Sequence, residues 1–258
     1  MPSKVAILGC GPAGLLAAHA AQANGCHFDV FSKRRPSYLF GAQYLHEPIP
    51  GVTGQPERVK YDLVGNPEDY RQKVYGASWD GSVSPEDLDT DHHAWDIRAA
   101  YRKLWAEYSD EIHHVEINDL RQIERDAALS RYDAVISTVP RTIWKQPGET
   151  FEYSSVWAIG DAPELGQFTP FSLKQDNLIV CDSTADVSWY RLSKVFGFST
   201  IEWPGNKKPP VANIQEVRKP LKHNSTAASE FYHMGRYGKW EKGILTTDVY
   251  NEALKVTA

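Results

Sequence analysis

Apolar positions open the chain as a short run, KVAIL at 4–8, that stops on Gly9 and passes into alanine and leucine at helical spacing up to Gly25. CHFDVF at 26–31 then alternates as a second strand, so the first thirty residues predict strand, turn, helix, strand. Between 58 and 90 the pattern breaks into short strand-like pieces, VKYDLVG and QKVYGAS, among Pro, Gly and Asp. AWDIRAAYRKLWAEYSD at 94–110 predicts the clearest internal helix, with Ile97, Tyr101, Leu104, Trp105 and Tyr108 on one stripe facing a core. IHHVEI at 112–117 and YDAVISTVP at 132–140 predict strands on either side of a polar helix-like piece. Strands alternating with helices predict an α/β fold, with a parallel sheet whose carboxyl edge would carry the STVP turn.

Composition narrows the class without naming a function. The 258 residues are 41% hydrophobic, enough for one large domain or two small ones sharing a cleft. A formal net charge of -5 with scattered Lys and Arg argues against a dedicated nucleic-acid or membrane surface, and no apolar run reaches spanning length, so cytoplasm is the expected compartment. Three cysteines (Cys10, Cys26, Cys181) without C-x-x-C spacing read as small buried side chains. His113 and His114 point to opposite faces of a strand, and no metal site is expected. Aromatic residues gather between 75 and 110 and between 189 and 240, where they suit a core or the wall of a pocket for a flat ligand.

The first strand and helix carry the specific chemistry. Gly9, Gly11 and Gly14 fit G-x-G-x-x-G in the context that motif needs. A tight turn at Gly9, close backbone approach to a pyrophosphate at Gly11 and close helix packing at Gly14 would leave Pro12 and Ala13 in the first helical turn, whose free N–H groups and dipole favour phosphate. The carboxylate expected after the second strand is missing, because the segment reads VFSKRRPS. Ser32 can hydrogen-bond a ribose hydroxyl, whereas Lys33, Arg34 and Arg35 suit a phosphate, the NADP pattern, or a solvated turn.

GAQYLHEPIPG at 41–51 would let backbone pass close to a ring system, with His46 facing the same space. Two later segments compete to hold the far end of a dinucleotide. SVWAIGDAPELG at 155–166 offers Gly160-Asp161, but Pro163, Gly166 and Pro170 leave little room for a following helix. HMGRYGKW at 233–240 is followed by TTDVYNEALKV, with Thr246 or Thr247 as N-cap, and fits better.

In the order ILGCGPAGL, GAQYLH, SWYRLSKVFGFSTIEWPG and GRYGKWEKGILTTDVYNEAL, the chain resembles the FAD flavoproteins of the UDP-galactopyranose mutase and amine oxidase superfamily. The resemblance implies a Rossmann-like FAD-binding domain built from 1–45, 111–165 and 232–258, and a small β-rich substrate-binding part from 46–110 and 166–231. It implies that Gly9, Gly11 and Gly14 hold the pyrophosphate of FAD; Pro12, Ala13, Ser32, Lys33 and Val115 are further candidate cofactor contacts. Gly41, Ala42 and Gln43 would line the flavin, and Gly235, Arg236 and Tyr237 would contact the far end of the cofactor. His46 is the candidate acid or base, Arg191 an anion clamp and Tyr190 a ring or hydroxyl contact. The small size also resembles compact virus-encoded flavoproteins, some of which act on amino-acid-decorated thymidine, so nucleic acid enters only as a modified-base substrate.

Four functions fit these residues: an FAD enzyme working through flavin N5 on a small or nucleotide-linked substrate, a mutase-like redox-neutral isomerase, an NADP-dependent dehydrogenase, and a non-catalytic dinucleotide-binding module.

Overall fold

The computed structural model describes residues 4–33, 39, 44–77, 79, 81–84, 88, 90–115, 131–160, 175–225 and 231–258. Strand β1 (Lys4–Leu8), helix α1 (Pro12–Ala23) and strand β2 (His27–Ser32) form the predicted opening unit. The chain continues through β3 (Glu57–Val64), α2 (Pro67–Tyr75), β4 (Asp91–Ala94), α3 (Ile97–Glu107), β5 (Ile112–His114) and β6 (Ala134–Ser137). After a 3-10 turn over Arg141–Trp144 come β7 (Thr150–Gly160), β8 (Leu178–Asp182), β9 (Arg191–Val195), β10 (Phe198–Pro204) and β11 (Gln215–Asn224). The chain closes with β12 (Tyr232–His233), a short α4 (Gly235–Lys239) and α5 (Asp248–Val256).

These strands make two sheets. The first, in order β12-β6-β1-β2-β5, is parallel throughout. Its order reverses at β1, which is the topology of a doubly wound Rossmann-like sheet, and the crevice beyond the carboxyl ends of β1 and β6 is its switch point. The buried faces of α1, α3 and α5 cover one side, with Leu15, Leu16, Ile97, Leu104, Val249 and Ala253 in one cluster with Val5, Ile7 and Ile136. Ile97 and Leu104 are 1% exposed, a burial worth about 2 kcal/mol each, so the α3 stripe is core.

The second sheet runs β11-β7-β10-β9-β8-β3-β4 and is antiparallel except where β3 meets β8. Strand alternation gives it two apolar faces. Val156, Ile179, Cys181 and Val195 pack with Tyr70 and Val74 of α2, whereas Ile159, Leu192, Ile201 and Trp203 form a separate cluster with Trp189. Phe196 and Gly197 both have positive φ, so β9 and β10 are joined by a two-residue turn of the mirror-image type that matches strand twist.

Two expectations change. Within QKVYGAS, residues 72–75 belong to helix α2 and Gly76 is its C-cap, because Asn66 accepts a cap bond from Asp69 N–H, Pro67 occupies the first turn, and Glu68 pairs with Arg71 and Gln72; residue 78 lies outside the described residues. Thr247 holds the N-cap position of α5 without capping it; the Asp248 carboxylate accepts from Leu245 N–H instead. Helix α3 packs in the cluster that covers the first sheet, and β7 joins the second sheet. The polar piece at 118–130 lies outside the described residues. Among the described residues no helix is long and apolar enough to cross a membrane, and the three cysteines are buried and joined by no disulfide.

The helix-to-strand contact is closest at Gly14, where a Cβ would stand 1.8 Å from the Gly9 carbonyl oxygen and 3.1 Å from Thr138 Oγ1. Gly14→Ala is expected to lose about 3 kcal/mol or more in urea unfolding. Gly25→Ala, with open space but φ +73°, loses about 1 kcal/mol. Equal losses for the two would contradict this packing.

Candidate functional site

The glycine turn is built at the switch point. Gly9 has φ +104°, a left-handed geometry that brings its N–H to Phe31 O at 2.8 Å, and a Cβ there would lie 2.7 Å from Thr138 Oγ1. Thr138, directly after β6, donates both its N–H and its hydroxyl to Leu8 O, tying the ends of β1 and β6 together. Gly11 is extended and caps α1 without a side chain, Pro12 starts the helix, and Leu15 N–H returns to Gly11 O at 3.0 Å. The first-turn N–H groups of α1 therefore face the crevice, with positive dipole and no acidic side chain in that turn. From α3, the Tyr101 hydroxyl donates to Cys10 O at 3.0 Å and fixes the turn from the other side.

Beside it, Ser32 ends β2, is 3% exposed and donates to Lys33 O at 3.3 Å, while Lys33 is exposed. Val115 N–H bonds Ser32 O at 3.0 Å. The structure thus gathers Gly9, Gly11, Pro12, Ala13, Gly14, Ser32, Lys33 and Val115 along one carboxyl edge. Gly41, Ala42, Gln43, Arg34, Arg35 and Asp161 lie outside the described residues. Strand β7, which leads to Asp161, belongs to the mostly antiparallel second sheet.

The glycines of GRYG meet protein. A Cβ on Gly235 would lie 3.2 Å from Ala13 Cβ, and one on Gly238 would lie 2.7 Å from Ser137 O, so α4 docks its backbone on the first turn of α1 and the end of β6. This close approach to protein by itself requires glycine at both positions. Tyr237 is 38% exposed. Arg236 points to the second sheet: Nη2 reaches Pro220 O at 3.4 Å, and its buried Nε has no partner among the described residues.

On that sheet, register places Arg191 opposite Glu202 across β9 and β10. Arg191 Nη2 donates to Glu202, the Tyr190 hydroxyl donates to Glu202, and Lys219 Nζ donates to Glu202 and, at 2.8 Å, to Tyr190 Oη. Glu202 is 1% exposed, Tyr190 also 1%, and the Arg191 side chain 18%. Tyr190 is therefore a buried partner whose hydroxyl, one of the two contacts expected of it, is engaged by Glu202 and Lys219. Burial alone would raise the Glu202 carboxyl, but the charges and hydrogen bonds of Arg191 and Lys219 hold it well below the usual carboxylate range. Burial, then the Arg191 charge, pushes the Lys219 ammonium down to about 7 against the pull of Glu202. Two cations against one carboxylate, with Arg236 acting on the same lysine, leave this wall short of negative charge.

His46 is exposed; its ring lies 4.5 Å from that of Tyr44. Burial of its inner face and His92 lower its imidazole, opposed by Asp248, so at neutral pH it is a base rather than an acid. The Tyr44 hydroxyl donates to Tyr61 at 3.2 Å, and both phenols are raised by burial while feeling the Arg191 charge. Tyr44 thus joins His46 to the Arg191 cluster. Glu202, Lys219, Tyr44 and Tyr61 were not foreseen. An acidic residue inside the apolar run FSTIEWP was the available signal, since a buried carboxylate needs cations.

No protein-family model and no curated protein matches the chain. Solved structures match its fold. The flavoprotein/dehydrogenase from Cytophaga hutchinsonii is 10% identical with TM-score 0.55, over 99% of this chain and 76% of that one. The substrate-free rebeccamycin biosynthetic enzyme is 11% identical with TM-score 0.53, over 99% and 63%. A mutant of 2-methyl-3-hydroxypyridine-5-carboxylic acid oxygenase is 10% identical with TM-score 0.50, over 99% and 87%. The chain spans under two thirds of the rebeccamycin enzyme. At these identities the likeness establishes the Rossmann-like flavoprotein fold; it gives no specific support to the mutase and amine oxidase superfamily.

Removing the Glu202 charge should show how the wall is held. Glu202→Gln leaves Arg191 and Lys219 buried without their counter-ion, with an expected loss of about 3–5 kcal/mol in chemical unfolding at pH 7. Because the folded carboxyl is depressed, its stabilisation is complete above the unfolded value near ~4.3 and lost as pH falls. Wild type should therefore weaken steeply from about pH 5 to pH 2, and the variant less so. Parallel pH profiles would contradict the arrangement.

Proposed function

We propose that the chain is an FAD-dependent oxidoreductase acting on a small anionic substrate. The observation that carries the reading is the tightly packed glycine turn in front of α1 at the sheet's switch point, together with the flavoprotein fold of the whole chain.

The residues present suit such a cofactor. Gly9 and Gly14 make a cradle that side chains would fill, and the N–H groups of the α1 first turn favour a diphosphate. Ser32 and Lys33 offer a hydroxyl and a cation where an adenosine ribose would lie. Thr247 Oγ1, at the N-terminus of α5, and Arg236 Nε are buried polar atoms without partners among the described residues, as befits groups that meet a polar ring edge. When bound, the flavin would supply the redox chemistry at its ring.

The chain's own residues would bind and orient the substrate. Arg191, held by Glu202, offers a fixed guanidinium to a carboxylate or phosphate, and Arg236 adds charge from the other layer. Lys219, near neutrality, can hold or release a proton at Nζ, and neutral His46 can accept one. Tyr44 and Tyr61 stay protonated as donors. Oxygenases and a dehydrogenase share the fold, which favours oxidation or hydroxylation of the substrate over redox-neutral isomerisation. A nucleotide-linked substrate would use both arginines.

The visible absorption spectrum after reconstitution with FAD tests the reading. Flavin bands retained through gel filtration are expected for wild type and lost in Gly11→Val, whose side chain blocks backbone approach to the diphosphate. A colourless wild type that instead retains NADP would overturn the proposal in favour of the dehydrogenase reading.

A further inference from the structure

A second cleft of about 750 Å³ opens among the start of β7, the end of β11 and α4. Neither Gly9 to Gly14 nor Ser32 and Lys33 line it, and its volume is in the range that holds a nucleotide-sized molecule. Arg141, Lys222, Lys239 and Lys242 line the cleft with Glu152 and Glu241, and two of these cations are already paired, Arg141 with Glu149 and Lys239 with Glu252.

Arg141 is the built part of this site. It is 5% exposed, its Nη2 donates to Glu149 Oε1 at 3.0 Å, and its Nη1 donates to His233 Nε2. Glu149 in turn accepts from Ser225 Oγ at 2.7 Å and Gln146 N–H at 2.8 Å, and lies 3.4 Å from His223 Nε2. Donation to Nε2 requires a neutral His233, and burial, then the Arg141 charge, holds that imidazole down at about 4. A buried ion pair contributes little net stability, so so many partners spent on fixing one guanidinium at a cleft wall point to recognition.

The other cations are spaced around it. Lys239 is held by Glu252 and is committed. Lys242, whose Nζ donates to Ser82 O at 3.4 Å, lies over the Trp79 ring at 4.2 Å and the Tyr75 ring at 4.7 Å, and Lys222 stands exposed on β11. An oriented fork with two ammonium groups matches a phosphate, with its charge near −2, better than a single carboxylate. Trp79 offers an apolar side, and Glu152 and Glu241 can accept from the hydroxyls of a sugar while rejecting a carrier of further negative charge.

We propose that this cleft binds a phosphorylated small molecule, its phosphate met by Arg141, Lys222 and Lys242 and its organic part lying along Trp79. The site is separate from the dinucleotide cradle and does not depend on what that cradle holds.

Calorimetric titration of ADP into the full chain with FAD at saturation tests this, using Lys222→Gln/Lys242→Gln and Gly11→Val as the two comparison variants. One ADP per chain is expected, displaced by inorganic pyrophosphate, weakened roughly tenfold or more in the double lysine variant and unchanged in Gly11→Val. Displacement by pyrophosphate with equal affinity assigns the ligand as free phosphate-type anion; tighter ADP binding assigns a nucleotide. Three results would overturn the site: no saturable binding, ADP that pyrophosphate cannot displace, or binding that survives the lysine changes and vanishes in Gly11→Val.

Discussion

The approach of α1 to the end of β1 is the constraint on which the remaining structure depends. With Gly9 in a left-handed turn and no side chain at Gly14, the helix can begin directly above the strand end. Thr138 closes the same space from β6, Tyr101 from α3 and Gly235 from α4. Three distant parts of the chain thus converge on one turn. A bulkier residue at any contact would move the helix start, and with it the row of N–H groups facing the crevice.

The second layer solves a different problem. A mostly antiparallel sheet buries apolar clusters on both faces, yet near one of them it carries Arg191, Glu202 and Lys219 in contact. Charges removed from water are tolerated only when paired and hydrogen-bonded, and here one carboxylate serves two cations and a phenol. The surplus positive charge, with Arg236 reaching across from α4, gives the wall its sign. The contacts that hold the cluster together also fix the guanidinium.

Much of the first layer was legible in the sequence. KVAILGCGPAGL carries strand, turn and helix with residues whose backbone demands are local, and the α3 stripe repeats at helical spacing. The second layer was harder. Short strands with both faces buried show little alternation, which is why QKVYGAS read as a strand although its helix is set by the Asn66 cap upstream. Register placed Glu202 against Arg191, and β11 brought Lys219 from seventeen residues further on. The glycines of GRYG signalled close approach correctly, but sequence cannot say that the approaching groups are Ala13 and Ser137 rather than a ligand.

A crystal structure of the chain grown with FAD tests the central claim most directly. The account predicts the diphosphate over the first turn of α1, within hydrogen-bond reach of the N–H groups following Gly11, with the isoalloxazine ring extending toward Arg236 and the Arg191 wall. FAD bound elsewhere, or a side chain filling the Gly9 to Gly14 crevice in place of the diphosphate, would contradict it.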